Sequence, residues 1–420
     1  MRESVITHGV RTPIGRIGGS LKDVSAEHLL VYVIKNLICD RARLDLQCID
    51  QVIMGQVKQS SVSSNIARSA ALLAKLSENT PAYTVHRQCG SGLQSIINAS
   101  QMIRCAYADV VVAGGAENMS QSPYFLRHVR QGLGNGDYTI EDSLVAGGPG
   151  AIPVHLYGNQ PMGITAENLA ERYEVSREEQ DTFAMESQQK ADEAIRQGYF
   201  QTQILPVETP GNVFATDEYP FLSSMGKLAT LKPSFKESGS VTAGNSSGRN
   251  DGAAAVLVMS RDACDRMGYR PMARILATAS SGCDPLVMGL GPVACTKKAL
   301  KQAGLTLKDM DVIELNEAFA AQSIAVIREW EAWGISRDQL MKKINPNGGA
   351  IALGHPLAAT GAVLTVKCMY ELHRRPQNRY GLITLCCGGG LGVALILEKM
   401  EGGNESCFGN SGCPHTGGAC

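Results

Sequence analysis

The chain has 420 residues, 44% hydrophobic and 45 of them glycine, with 39 basic against 40 acidic side chains for a formal net charge of -1. A chain of this length builds a large core, and two similar domains suit it better than one. The balanced charge gives no basic field for nucleic acid, aromatics at 5% are too sparse for a base-stacking platform, and glycine or charge breaks every apolar run before the 18 residues of a membrane span.

Read in order, the chain enters an apolar strand-like run at 4–10, with no apolar signal-peptide core before it. Its last four residues, GGAC, match neither a peroxisomal nor a prenylation ending. Thirteen cysteines without an export signal suit a reducing compartment, so a cytoplasmic protein is expected. QVIMGQV (51–57) is short, carries Val52 and Ile53 and is interrupted by Gly55; ADVVVAGG (108–115) follows a helical pattern over 93–107. Both read as buried strands with glycine near their C-terminal ends. Between them, TVHRQCGSGLQSI (84–96) sets Cys89 ahead of a Gly-Ser-Gly that opens a helix.

The segment 120–250 interrupts this alternation and contains the helical stretch 176–198, where Ser176 and Glu179 have the spacing of a capping box. An insertion of this length is a natural cover for a substrate. The earlier scheme then recurs: LTLKDMDVIELN (305–316) echoes LDLQCIDQVIMG (44–55), GLITLCCGG (381–389) echoes DVVVAGG, and the loop GGAIALGHP (348–356) answers CGSG (89–92). The order argues for two related α/β halves, one ending near Ser260 and the other beginning near Pro271. Beyond Met400 the glycine-rich sequence reads as a disordered tail whose three cysteines and His415 fit no structural zinc spacing, and no metal site is expected.

Three loops carry chemistry. A nucleophilic cysteine needs activation, because its ordinary pKa is about 8.5. A helix starting just after Cys89 offers a favourable dipole and free N–H groups. His355, between glycine and proline, suits a base that accepts a thiol proton or a donor to an oxyanion. LCCGGGLG (385–392) ends a strand in two thiols and three glycines whose N–H groups can face an oxyanion. Adjacent strand residues point to opposite sides, so only one of Cys386 and Cys387 should face a shared site; local pattern leaves open which.

Together RTPIGRIGGSL (11–21), VHRQCGSGLQSI (85–96), GGAENMS (114–120), MGITAENLA (162–170), VTAGNSSGRNDGAAA (241–255), NEAFA (316–320), NPNGGAIALGHPLAATG (345–361) and CCGGG (386–390) resemble the thiolase family, in family order over roughly residues 1–398. The resemblance implies a thiolase-like α/β fold, its two halves forming five layers, α-β-α-β-α. Residues 1–119 and 251–270 would form the N-terminal half carrying the nucleophile, 120–250 a loop domain covering the CoA site, 271–399 the C-terminal half, and 400–420 the tail.

It further implies that Cys89 is acylated, His355 activates it, and Cys386 is the second acid/base, with Cys387 where the family usually has an apolar residue. Asn316 would hold a water that completes one oxyanion hole with His355, and the N–H groups of Cys89 and Gly388 would form another. Met162, Phe235, Ala243, Ser247, Met288, Ala318 and Phe319 match family CoA-pocket positions. CoA and acyl-CoA are then substrates, with no further cofactor required, and a homodimer or homotetramer is implied.

The implied activity is reversible Claisen condensation of acetyl-CoA, as in acetyl-CoA C-acetyltransferases, or thiolysis by a 3-ketoacyl-CoA thiolase of longer-chain or dicarboxylic substrates. A carrier-protein-dependent ketoacyl synthase would activate its cysteine with two histidines, or histidine and asparagine, and the terminal CCGGG without a second histidine motif argues against it; a non-catalytic interaction protein would more readily have lost Cys89 or His355, and both are present. Four departures bear on substrate handling: Phe221 replaces a basic residue, Pro161 often a histidine, His86 an asparagine, and Ala358 a glycine whose loss should stiffen the His355 loop. Lys227, Lys232 and Arg249 are candidate substitutes for the missing charge.

Overall fold

The apolar runs anticipated from sequence become the strands of a central sheet in a computed structural model of the chain, which describes residues 2–219 and 223–400. Phe221 and the tail from 401 onward lie outside the described residues. In the first half β1 (Ser4–Arg11) is followed by α1 (Ala26–Lys35), β2 (Gln51–Gly55), α2 (Ile66–Leu73), β3 (Ala82–Val85), α3 (Ser91–Arg104) and β4 (Val110–Asn118). Within 120–250 the longest helices are α4 (Met162–Arg172) and α5 (Arg177–Arg196). Then come β5 (Asn250–Ser260), β6 (Ala273–Gly282), α6 (Gly291–Ala303), β7 (Val312–Leu315), α7 (Ala320–Glu331), α8 (Leu357–Arg374), β8 (Tyr380–Cys387) and β9 (Leu391–Lys399).

The strands follow the order β7-β8-β9-β6-β1-β5-β4-β2-β3. In the first half β1, β5 and β4 run antiparallel, and β4, β2 and β3 parallel. The second half repeats this: β6, β9 and β8 are antiparallel, β8 and β7 parallel, and a single parallel bridge from Ile313 to Ile344 stands where β3 would be. Hence β2 corresponds to β7 and β4 to β8, the echoes read from the sequence. The halves meet through one short antiparallel contact of β1 with β6, at Val5↔Arg274 and Ile6↔Ala273.

Three apolar clusters give the five layers. One lies under α1 and α2, one under α6 and α7, and the largest joins α3 and α8 to the inward faces of both sheets. α8 is buried on all its faces, as a helix in a middle layer must be. α3 and α8 cross closely because glycines meet there: a Cβ on Gly92 would lie 2.3 Å from the Ala358 carbonyl oxygen, and one on Gly361 2.3 Å from Leu93 N. Ala358 is the second residue of α8, where helical backbone suits alanine, so it does not cost the His355 loop the freedom expected from sequence. Ser176 caps α5 by accepting from Glu179 N at 3.1 Å, but the Glu179 carboxylate binds Arg328 and Arg337, so the expected box is only half formed.

Candidate active site

The α3–α8 crossing brings together the loops that precede the two helices. Between β3 and α3 the chain turns sharply: Gln88 has φ +48°, a conformation costly outside glycine, and Gly90 N and Ser91 N donate back to Arg87 O and Gln88 O at 3.1 and 3.0 Å. Ser91 Oγ locks the turn, accepting from Arg87 N at 2.8 Å and donating to Gln88 O at 2.6 Å. Cys89 sits at its apex, its sulfur accepting from the backbone N–H groups of Gly388 and of Cys89 itself. Burial pushes the thiol up to about 11, against the pull of those N–H groups and the Lys58 ammonium. The sequence led us to expect a thiolate favoured by the helix terminus; desolvation outweighs it, and the resting sulfur keeps its proton.

His355 follows a short helical turn, Ala350–Leu353, and precedes α8. Its backbone N–H donates to Asn250 Oδ1 at 2.8 Å, while Asn250 Nδ2 donates to Gly15 O at 3.0 Å. Nδ1 lies 2.7 Å from Thr360 Oγ1, and the buried Nε2 has no partner among the described residues. Burial lowers its pKa to about 4, so the ring is neutral at pH 7.

The two thiols at the end of β8 part as alternation requires. Cys387 joins the central core and lies close under Gly90, whereas Cys386 packs with Met288, Ala318, Phe319 and Met162. Cys386 therefore faces the cleft, answering the question that local sequence left open. Burial holds its thiol well above the ordinary range, with Cys89 near enough to add to the shift.

A cleft of about 420 Å³ has Cys89, His355, Cys386 and Gly388 in its wall, together with Met162, Phe235, Ser247, Met288, Ala318 and Phe319. Phe235 and Phe319 meet edge to face at 6.1 Å, and Ser247 Oγ donates to Ala318 O at 3.1 Å. Two sequence candidates stand apart from the lining: Ala243 is exposed, and Asn316 is fully buried. Asn316 N donates to Thr384 O at 3.1 Å, while both its side-chain amide atoms lack a partner among the described residues. Pro161 and Arg249 reach the cleft wall, whereas Lys227 and Lys232 do not.

Four residues were not singled out as functional from sequence. Asn250 and Thr360 fix His355, and Lys58 lines the cleft. Buried Glu117 accepts from Val57 N, Lys58 N and Ala358 N at 3.1, 2.9 and 3.2 Å, tying the segment after β2 to the start of α8. Burial pushes its carboxyl up to about 7. Asn250 and Glu117 lie inside quoted motifs, but their partners are distant in sequence. The set can carry nucleophilic acyl transfer: a thiol with two N–H donors, a neutral imidazole and a second thiol.

Comparison with known proteins agrees with this chemistry. A thiolase N-terminal domain family matches residues 4–262 and a thiolase C-terminal domain family matches residues 269–399. An acetyl-CoA acetyltransferase of Syntrophomonas wolfei is 45% identical over 407 residues, covering 95% of this chain and 100% of its own. Beta-ketothiolase BktB of Cupriavidus necator is 45% identical over 408 residues, with 95% and 100% covered. Among solved structures, Bacillus anthracis acetyl-CoA acetyltransferase superposes with a TM-score of 0.89 at 42% identity, covering 95% of this chain and 99% of its own. Human mitochondrial 3-ketoacyl-CoA thiolase in complex with CoA gives 0.89 at 42%, covering 95% and 98%.

Proposed function

The chain belongs to the thiolase family, and from that premise we propose that it catalyses the reversible ping-pong condensation of two acetyl-CoA to acetoacetyl-CoA and CoA through acyl-Cys89. The observation that carries this reading is the convergence of Cys89, His355 and Cys386 on one cleft, with the N–H groups of Cys89 and Gly388 on the sulfur.

In the cleavage direction His355 Nε2 takes the Cys89 proton as the sulfur attacks the keto carbon, C3. The oxyanion at C3 is met by the N–H groups of Cys89 and Gly388. Its collapse breaks C2–C3, leaving an acyl-Cys89 thioester and the enolate of acetyl-CoA. Protonated His355 and a water held by Asn316 stabilise the enolate oxygen, and Cys386 gives its proton to C2. Asn316 suits that role because its buried amide lacks protein partners among the described residues. Thiolate Cys386 then deprotonates CoA, whose sulfur attacks the acyl-Cys89 carbonyl; collapse of that oxyanion expels the Cys89 thiolate, which takes its proton back from His355. Condensation retraces these steps, with Cys386 removing the C2 proton of acetyl-CoA. No step calls on a cofactor beyond CoA itself.

The protein acts in the cytoplasm as a homodimer or homotetramer, a reading supported by its cysteine content and family. Thiolysis of longer 3-oxoacyl chains is the second reading, favoured by the apolar wall of Met162, Phe235, Met288 and Phe319. The test is incubation with acetoacetyl-CoA and with a medium-chain 3-oxoacyl-CoA, with and without CoA, followed by peptide mass spectrometry. CoA-dependent acetyl-CoA release with an acyl mass on Cys89 is expected. Folded protein giving neither would overturn the assignment.

A further inference from the structure

Lys58 is placed unusually for a charged side chain. It is half-buried in the wall of the catalytic cleft and also lines a second cavity of about 350 Å³ on the far side of Gln88. Val57, Gln88 and Gly147 are shared by both cavities, so the two adjoin. The ammonium donates to Ser143 O and rests against Gly147, where even one methyl would collide with it at 2.2 Å.

Nearby carboxylates do not pair with it. Glu117 and Asp142 influence it electrostatically, yet Glu117 is spent on three backbone N–H groups and Asp142 accepts from Leu144 N. Among the described residues no carboxylate oxygen lies within ion-pair distance of Lys58. The second cavity offers further donors, Gln59, His86, Gln88 and Arg127, the last paired with Glu141 at 2.7 Å; among the described residues no Asp or Glu is in its lining. An ammonium drawn partly out of water without an anion is costly, and a substrate carboxylate there would supply the missing partner.

We infer that Lys58 and the cavity it borders bind a carboxylate at the far end of the acyl chain, making ω-carboxylated 3-oxoacyl-CoA thioesters a substrate class of this enzyme. The inference rests on the thiolase reading above. Lys58 is close enough to act electrostatically on the Cys89 sulfur, so only a short chain separates the reacting carbon from the ammonium. The acetyl group of the simpler reaction leaves this cavity untouched.

The test compares 3-oxohexanoyl-CoA with its ω-carboxy counterpart, and the eight-carbon pair likewise, for the full-length protein and for Lys58→Met and Lys58→Arg. The expected result is a kcat/KM at least tenfold higher for the carboxylated member of one pair. Lys58→Met should reduce that ratio at least tenfold, and Lys58→Arg should retain most of it. Turnover of both members without preference overturns the inference while the thiolase reading stands. So does an equal fall for both members in Lys58→Met, which would make Lys58 a group acting on Cys89 alone. No turnover of any substrate and no acylated Cys89 removes the thiolase reading and the inference together. The wild-type ratio decides the matter even where the methionine variant does not fold.

Discussion

At Cys89 the local backbone and the burial of the side chain pull in opposite directions. Two N–H donors favour the thiolate, yet burial leaves the thiol near 11 and the same burial leaves His355 near 4. The resting pair is therefore thiol and neutral imidazole, and in the proposed reaction the proton moves only as the sulfur adds to a carbonyl carbon and the new charge goes to the carbonyl oxygen. Alkylation of Cys89 by iodoacetamide should rise with pH throughout the range 6 to 9 without a plateau, read by peptide mass against time. A plateau below pH 8 would instead mean a preformed thiolate–imidazolium pair. The depressed His355 pKa also has a sign for stability: the neutral buried ring favours the fold above its ordinary value of about 6.5, and that contribution is lost as pH falls through about 4. On its own Cys89 would read as a small buried hydrophobe, and it was through the run of family motifs around them that Cys89 and His355 were legible as candidates in the sequence. Asn250, Thr360, Glu117 and Lys58 were not, since each acquires its role from a partner or cavity that only the fold supplies.

Among the elements, the crossing of α3 and α8 does most to set the site. Of its helices α3 could be placed from sequence, as could β2, β4, β7 and β8, since short glycine-bounded apolar runs have few alternatives. The closeness of the crossing was not readable, because it depends on Gly92 and Gly361 meeting across a long sequence separation. Gly92→Ala would push a methyl into the Ala358 carbonyl, whose backbone cannot move aside without shifting the start of α8. We expect a loss of about 1–3 kcal/mol by urea unfolding, with kcat reduced at least tenfold because both loops proposed to carry the chemistry ride on these helices. Unchanged stability and turnover would show that the crossing relaxes freely. The half-formed cap of α5 teaches the same lesson in miniature: a local motif was present, and Arg328 and Arg337 from elsewhere claimed Glu179.

Over the whole molecule, the two-half organisation was legible as weak echoes in consistent order, whereas the strand order was not. The halves share only a short β1–β6 contact in the sheet, but α3 and α8 bury the inward faces of both sheets in one core. Neither half keeps that core without the other, so thermal or urea unfolding should show a single transition by circular dichroism and by tryptophan fluorescence of Trp330 and Trp333, which both lie in the second half. Two separated transitions would mean that each half holds its own share of the interior. The repeat has a further consequence for chemistry. Cys89 stands just before α3 and His355 just before α8, at matching places in the two halves. Two identical copies of one half, facing each other, could present only the same side chain twice. Joining them in one polypeptide removes that constraint, so one position can specialise as an electron-pair donor to carbon and its counterpart as a proton acceptor.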